Sequence, residues 1–155
     1  MFDIIVVGGG VVGCAVLDKL AMKGFSCALL EADDDVAVGA SRANSGIVHA
    51  GYDAVPGTKK AKYNVRGAYL MPSLAKELDV PYKNTGSLVV AGENGMAGLE
   101  ELMVRAAENG VQAEILDREE ILKIEPNVSD AVRFALYAPT AGIISPYKLT
   151  IALAD

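Results

Sequence analysis

The fold is decided by the stretch Ile4-Ile5-Val6-Val7-Gly8-Gly9-Gly10-Val11-Val12-Gly13 near the start of the chain. Its apolar first half predicts a buried strand over 2–7, because branched apolar runs suit a sheet covered on both faces. A helix is predicted over 11–23, with Gly24 as its stop. A second apolar strand over 26–31 completes a strand–helix–strand unit, which requires a parallel pair. The expected inner face of the helix consists of Val12, Ala15, Val16, Leu20 and Ala21.

The glycines have the spacing G-x-G-x-x-G between a strand and a helix, which is typical of a dinucleotide-binding turn. Gly8 permits the tight turn, Gly10 leaves the backbone bare for a pyrophosphate, and Gly13 lets the helix pack close to the strand. The phosphates would meet free N–H groups and the positive dipole end of the helix. Val12 is counted with these glycines among the cofactor-binding residues.

Glu31 ends the second strand, 23 residues after Gly8. A carboxylate at this place can accept hydrogen bonds from the ribose hydroxyls of adenosine and would repel a 2′-phosphate, which argues against NADP. The glycine spacing alone suits FAD and NAD equally. An NAD domain, however, would continue with another helix and a third parallel strand. This chain instead enters a long loop of small residues over 32–56, and we therefore favour FAD.

Composition narrows the class of protein further. The chain has 155 residues, of which 52% are hydrophobic and 22% charged, as in a globular domain. A net charge of −6 argues against nucleic acid as a partner. The apolar runs are too short to cross a bilayer and no signal peptide precedes them, which predicts a cytoplasmic protein, with peripheral membrane contact left open. Cys14 and Cys27 are expected to be small buried residues, and no metal site is expected, because no Cys/His cluster has ligand spacing.

The rest of the chain alternates helix and strand patterns. A helix is predicted over 58–78, kinked or split at Pro72. Asp117 is expected to cap a helix over 118–124, and Ser145 with Pro146 to open a final one. The other predicted elements are strands over 86–91, 113–116, 132–137 and 142–144 and a helix over 96–109. Because only two strands of a nucleotide-binding sheet are present and the last helix is still running, we expect an N-terminal piece of a longer protein.

The long loop carries a more specific signal than the glycines. The segments 3–31 and 39–51 resemble the FAD-dependent oxidoreductases of the D-amino-acid oxidase superfamily. Within it, Asn44-Ser45-Gly46-Ile47-Val48-His49-Ala50-Gly51 and Pro56-Gly57-Thr58-Lys59-Lys60-Ala61 are similar to one branch. That branch contains L-2-hydroxyglutarate oxidase and the anaerobic-type glycerol-3-phosphate dehydrogenases. Residues 84–91 and 138–143 fit the same branch.

The resemblance implies an α/β fold in which the chain supplies part of each of two domains. Residues 1–78 and 145–155 would form an incomplete FAD-binding domain of Rossmann type, and 79–144 part of an α+β substrate domain. The ADP half of FAD would be bound by Gly8, Gly10, Gly13 and Glu31. The pyrophosphate, ribityl chain and flavin would lie along Ser41, Asn44, Ser45 and Gly46.

The expected function is oxidation of a small anionic hydroxy compound by hydride transfer to flavin. Glycerol 3-phosphate is the first candidate substrate and L-2-hydroxyglutarate the alternative; an NAD-dependent dehydrogenase and a non-catalytic nucleotide-binding fragment are the other hypotheses. His49 is the sole histidine and could act as base, flavin contact or orienting donor, or be merely structural. The electron acceptor is not identified by these patterns. The remainder of the polypeptide is an expected partner, without which the 155 residues are expected to be inactive.

Overall fold

The computed structural model describes all residues from 1 to 155 and contains eight strands and five helices. The strands are β1 (Ile4–Val7), β2 (Cys27–Leu30), β3 (Ile47–Val48), β4 (Tyr82–Lys83), β5 (Ser87–Ala91), β6 (Glu114–Asp117), β7 (Phe134–Ala138) and β8 (Gly142–Ile144). The helices are α1 (Val11–Ala21), α2 (Lys59–Glu77), α3 (Met96–Glu108), α4 (Arg118–Ile124) and α5 (Pro146–Ala154). No helix combines the length and apolar character needed to span a bilayer.

The chain divides into two compact units. Unit 1 consists of 1–46, 73–82 and 144–155, and unit 2 of 47–72 and 83–143. The segment 47–72 thus belongs to a different unit from the glycine turn, although both lie within the predicted FAD-binding domain of 1–78 and 145–155. The functional division of the chain, with 79–144 as substrate domain, stays a prediction.

Unit 1 contains the predicted strand–helix–strand arrangement. β1 and β2 pair in parallel, with Ile4 opposite Cys27 and Val7 opposite Leu30. α1 forms the crossover between them and also packs against α5. Gly24 follows the helix with φ +85°, a conformation that glycine adopts readily, and the chain then turns into β2. The α/β class and the parallel pair are confirmed.

The predicted inner face of α1 is only partly correct, because Ala15 and Leu20 are half-buried but the other three residues are exposed. Val12 is 75% exposed and Val16 is also exposed, whereas Cys14, on the opposite side of the helix, is completely buried. Periodicity could not identify the buried side, because apolar residues lie all round this helix. Packing against β1, β2 and α5 selects the side that carries Cys14.

Unit 2 is built on an antiparallel sheet in the order β5-β7-β6. Ser87 of β5 and Glu114 of β6 lie opposite Ala138 and Tyr137 of β7. Helix α3 packs on this sheet, and the shared core includes Leu99, Ala106, Leu136 and Ala138. A second pair, β3 with β8, is also antiparallel.

The first residues of α4 and α5 test the two predicted N-caps. Asp117 caps α4 as predicted, and its carboxylate accepts a hydrogen bond from the Glu120 N–H at 2.9 Å. At α5 the N-cap position is predicted correctly, but the Ser145 hydroxyl makes no capping bond and is buried without a partner.

Three further differences from the sequence predictions concern strands and a proline. The predicted loop over 32–56 contains β3, and β4 was not predicted, because two-residue strands lack a detectable period. Helix α2 continues through Pro72, so the split alternative is wrong. A proline removes one hydrogen bond of a helix, and the remaining turns of this long helix hold it together.

Candidate dinucleotide-binding site

The glycine turn joins the end of β1 to the start of α1, and the two elements lie very close together there. Gly8 has φ +103°, and its N–H donates to the Leu30 carbonyl at 2.8 Å, which extends the β1–β2 pairing by one residue. A Cβ atom at Gly13 would overlap the Gly8 carbonyl oxygen. The first turn of α1 can therefore approach the strand only because residue 13 has no side chain.

The start of α1 presents backbone amides that the helix itself cannot use. Gly10 is the N-cap in an extended conformation, and no side chain caps from that position. Instead the Val11 N–H donates to Ser41 Oγ at 2.9 Å, across thirty residues of sequence. The N–H groups of Val12 and Gly13 follow in the same turn, so Val12 can contribute through its backbone although its side chain is exposed.

Glu31 lies beside this turn and is held by backbone N–H groups. Its Oε2 accepts from Gly9 at 2.5 Å, and its Oε1 accepts from Ala32 at 2.6 Å and Asp33 at 3.1 Å. These hydrogen bonds lower the pKa of the Glu31 carboxyl below its ordinary value, and the bond from Asp33 contributes most to this shift. A carboxylate offers about four acceptor positions, so Oε2 retains one for a ribose hydroxyl.

Gly9 belongs to the site but was not predicted from the sequence. Its carbonyl accepts from the Ala37 N–H at 2.9 Å and from the Cys14 thiol at 3.5 Å, while its own N–H donates to Glu31. Burial raises the pKa of that thiol, which suits its role as a neutral donor. Ala37 is buried with φ +62°, a strained conformation for a non-glycine residue. The only sequence signal at Gly9 was a fourth glycine, at a position that the G-x-G-x-x-G motif leaves open.

The Asn44 side chain forms its hydrogen bonds within the following loop. The Asn44 side-chain amide donates to the carbonyls of Ala40 and Ser41, and its Oδ1 accepts from the Gly46 N–H at 2.8 Å. A Cβ at Gly46 would overlap the Ile144 carbonyl oxygen. Ser45 is exposed. Asn44 and Gly46 thus shape the loop, and the predicted contacts of these residues with a cofactor stay predictions.

His49 belongs to unit 2, whereas the glycine turn, Glu31 and Ser41 belong to unit 1. Its side chain is exposed, and its backbone carbonyl accepts from the Asn64 side-chain amide at 3.0 Å. It follows Val48 of β3, which pairs with Gly142. The backbone of His49 is therefore held while its side chain is exposed.

The unit 1 site suits one end of a dinucleotide. Amides at the start of α1 and its dipole favour a diphosphate, and the bare Cα atom of Gly10 leaves room for it. A Cβ at Gly10 would come within 3.3 Å of Ser41 Oγ, so a side chain there would crowd the same place. The ionised Glu31 beside the turn is an acceptor for sugar hydroxyls. Diphosphate and ribose are the groups that an ADP moiety presents together.

Known proteins are similar to this chain over most or all of its length. A glycerol 3-phosphate dehydrogenase from Caloramator mitchellensis is 45% identical, covering 100% of this chain and 33% of that protein. A mitochondrial L-2-hydroxyglutarate dehydrogenase from Caenorhabditis briggsae is 38% identical over 92% of this chain. Among solved structures, dithionite-reduced L-alpha-glycerophosphate oxidase from Mycoplasma pneumoniae with FAD bound superposes with a TM-score of 0.89 at 32% identity, covering 99% of this chain and 41% of that one.

The chain spans about a third of the length of these curated relatives. The FAD dependent oxidoreductase family matches residues 3–155, nearly the entire sequence. By this match the chain belongs to the FAD dependent oxidoreductase family.

Proposed function

We propose that the whole protein is an FAD-dependent dehydrogenase or oxidase that acts on a small anionic hydroxy compound, with glycerol 3-phosphate as its substrate. The observation that carries this proposal is the 45% identity, over the entire chain, to a relative named glycerol 3-phosphate dehydrogenase. Membership of an FAD-dependent family also removes the support for an NAD-dependent dehydrogenase.

Residues of unit 1 would hold the ADP half of FAD. The N–H groups of Val12 and Gly13 would bind the pyrophosphate with the positive end of α1 behind them. The Ser41 hydroxyl, which now accepts from the Val11 N–H, has a proton of its own to donate to a phosphate oxygen. Glu31 would accept a hydrogen bond from a ribose hydroxyl through Oε2.

Flavin, when bound, accepts a hydride from a carbon that bears a hydroxyl group. The protein must then take the hydroxyl proton, and His49 is the residue of this chain that we assign to that task. A neutral imidazole has a ring nitrogen that can accept a proton, and the exposed side chain is accessible to a substrate.

L-2-hydroxyglutarate is the second candidate substrate, because a relative of that name is 38% identical over 92% of this chain. Both candidates are small anions with an oxidisable hydroxyl, so the proposed chemistry is the same for each. A non-catalytic nucleotide-binding role is the third candidate. It concerns the 155 residues alone, separated from the remainder of the polypeptide. We propose that this remainder is required for turnover and that the protein acts in the cytoplasm.

The test uses the full-length protein, purified with its flavin under anaerobic conditions. Each candidate substrate is added separately, and loss of the visible flavin absorbance reports hydride transfer. We expect glycerol 3-phosphate to bleach the flavin and to support turnover with an artificial electron acceptor. Bleaching by L-2-hydroxyglutarate alone would establish the second candidate instead. A protein that retains flavin but is bleached by neither would contradict both substrates.

A further inference from the structure

The loop formed by residues 49–54, here the 49–54 loop, is held by side chains rather than by regular secondary structure. Ala50, Tyr52 and Ala54 in this loop are buried, which places its backbone against the core of unit 2. Backbone carbonyls in such a place require donors, because an unsatisfied buried polar group is costly. Side chains of α2, and the residues at the end of α3, supply those donors.

Asn109, the C-cap of α3, makes the most concentrated set of these contacts. Its side-chain amide donates to the Gly51 carbonyl at 3.0 Å and to the Ala54 carbonyl at 2.8 Å. Arg105, one turn earlier, donates to the Asp53 carbonyl at 3.2 Å. One amide group thus ties together two carbonyls that lie three residues apart, and this sets the path of the loop.

The start of the loop is held separately. Asn64 of α2 donates to the carbonyl of His49 itself at 3.0 Å. Gly51 has φ +104°, and a Cβ there would meet Val65 Cγ2 at 2.7 Å, so the loop is pressed against α2. His49 therefore has an exposed side chain on a backbone that is fixed before it by β3 and after it by Asn64 and Asn109.

We infer that Asn109 is a positioning residue for His49: it fixes the 49–54 loop so that the imidazole is presented in one place. The inference rests on the proposed function, in which His49 accepts the substrate proton. A base displaced by about 1 Å can lose on the order of 100-fold in rate, so a polar anchor behind it affects the chemical step.

The test is the variant Asn109→Asp in the full-length, flavin-loaded enzyme. Aspartate keeps the shape of the side chain but replaces the donating NH₂ by an acceptor that repels both carbonyls. We expect kcat to fall by about 10- to 100-fold, with KM and the Kd for FAD unchanged. Hydrogen exchange of the 49–54 amides should be faster, with and without flavin. Asn127→Asp makes the same chemical change at an exposed residue and should behave as wild type.

Two further variants distinguish a failure of the positioning role of Asn109 from a failure of the proposed role of His49. Asn64→Ala removes the bond to the His49 carbonyl and should also lower kcat, which keeps the inference testable if Asn109→Asp does not fold. In a His49→Gln background Asn109→Asp should add little, because the two residues act on one step. Wild-type kcat in both asparagine variants, with His49→Gln impaired, would overturn the positioning role alone. An unimpaired His49→Gln enzyme would overturn the assignment of His49 and, with it, this inference.

Discussion

At residue 13 the first turn of α1 and the end of β1 are so close that only a hydrogen atom fits on the α-carbon. Gly13→Ala would push a methyl group into the Gly8 carbonyl oxygen. We expect a loss of about 1–3 kcal/mol in the free energy of unfolding, which is usual for overpacking, and a weaker hold on FAD because the amides of the turn are displaced. Chemical denaturation and flavin titration of the full-length protein measure the two effects.

Gly98 is the matched control for this substitution. It lies in α3, and a Cβ there would meet nothing within 4 Å. Gly98→Ala should therefore raise the free energy of unfolding by about 0.4–1 kcal/mol and leave FAD binding unchanged. Equal effects of the two substitutions would show that close packing at Gly13 is not what requires glycine.

The lowered pKa of Glu31 predicts that the stability of the folded protein depends on pH. Because backbone N–H groups lower its pKa in the folded chain, its contribution to stability is fully present above the pKa of the unfolded chain. It is lost as the pH falls through the lower, folded value. We expect Glu31→Gln to be less stable than wild type at neutral pH. The difference should shrink at acid pH, below about 4.3, as the wild-type carboxylate is protonated.

Melting temperatures of the two proteins, measured in parallel from neutral to acid pH, test this prediction. A difference that stays constant through the acid range would mean that the charge of Glu31 is not the stabilising feature. Glu114→Gln, at an exposed position of β6, controls for the general loss of one negative charge.

Among the elements, α4 has its start defined by a reciprocal pair of hydrogen bonds. Asp117 accepts from the Glu120 N–H at 2.9 Å, and Glu120 Oε2 accepts from the Asp117 N–H at 3.0 Å. Asp117→Ala should lower the free energy of unfolding by about 0.5–2 kcal/mol, since it leaves a helix amide without its acceptor. Asp117→Asn keeps an acceptor oxygen and should retain most of the stability in chemical denaturation. FAD affinity should not change in either variant, because the proposed ADP site lies in unit 1.

Helix α1 shows the opposite situation, an element whose ends were predictable but whose orientation was not. Glycines bound it on both sides, so its limits follow from local chemistry. Apolar residues surround it, so the sequence offers no single stripe to face a core. The buried position of Cys14 and the exposure of Val12 result from contacts with β1, β2 and α5, which no periodicity contains.

At the scale of the whole molecule, unit 1 has an unusual amount of exposed apolar surface for a parallel sheet. Val7 of β1 is 81% exposed, and Ile5 and Leu30 are exposed as well. Parallel sheets are normally covered on both faces. The 155 residues expressed alone should therefore bind a hydrophobic dye and self-associate as their concentration rises. The full-length protein should do neither.

Light scattering and dye fluorescence on both proteins check this expectation. Val7→Lys should reduce dye binding and self-association of the 155-residue piece, since it charges the exposed face. Lys83→Arg keeps the charge at an exposed residue of β4 and should leave both unchanged. A piece that stays monomeric and binds no dye would contradict the interpretation that this face is normally covered.

The sequence by itself determined the features that depend on neighbours along the chain. These are the strand, glycine turn and helix of 4–21, the acidic residue that follows β2, and the Asp117 cap, all set by local backbone chemistry. The loop resemblance also indicated the family to which the chain belongs. Each of these features depends on residues within about one supersecondary unit, where the spacing of residue types along the chain predicts the local structure.

Only the tertiary structure decided which distant groups meet. Ser41 reaches the Val11 N–H, Ala37 and Cys14 hold the Gly9 carbonyl, and Asn109 ties the 49–54 loop. It also showed that Asn44 bonds its own loop and that the buried side of α1 carries Cys14. The physical reason is that such bonds join groups far apart in sequence, so their distance is set by how elements pack. Composition and hydrophobic periodicity describe one segment of the chain at a time. They therefore give no information about the distance between groups on different segments.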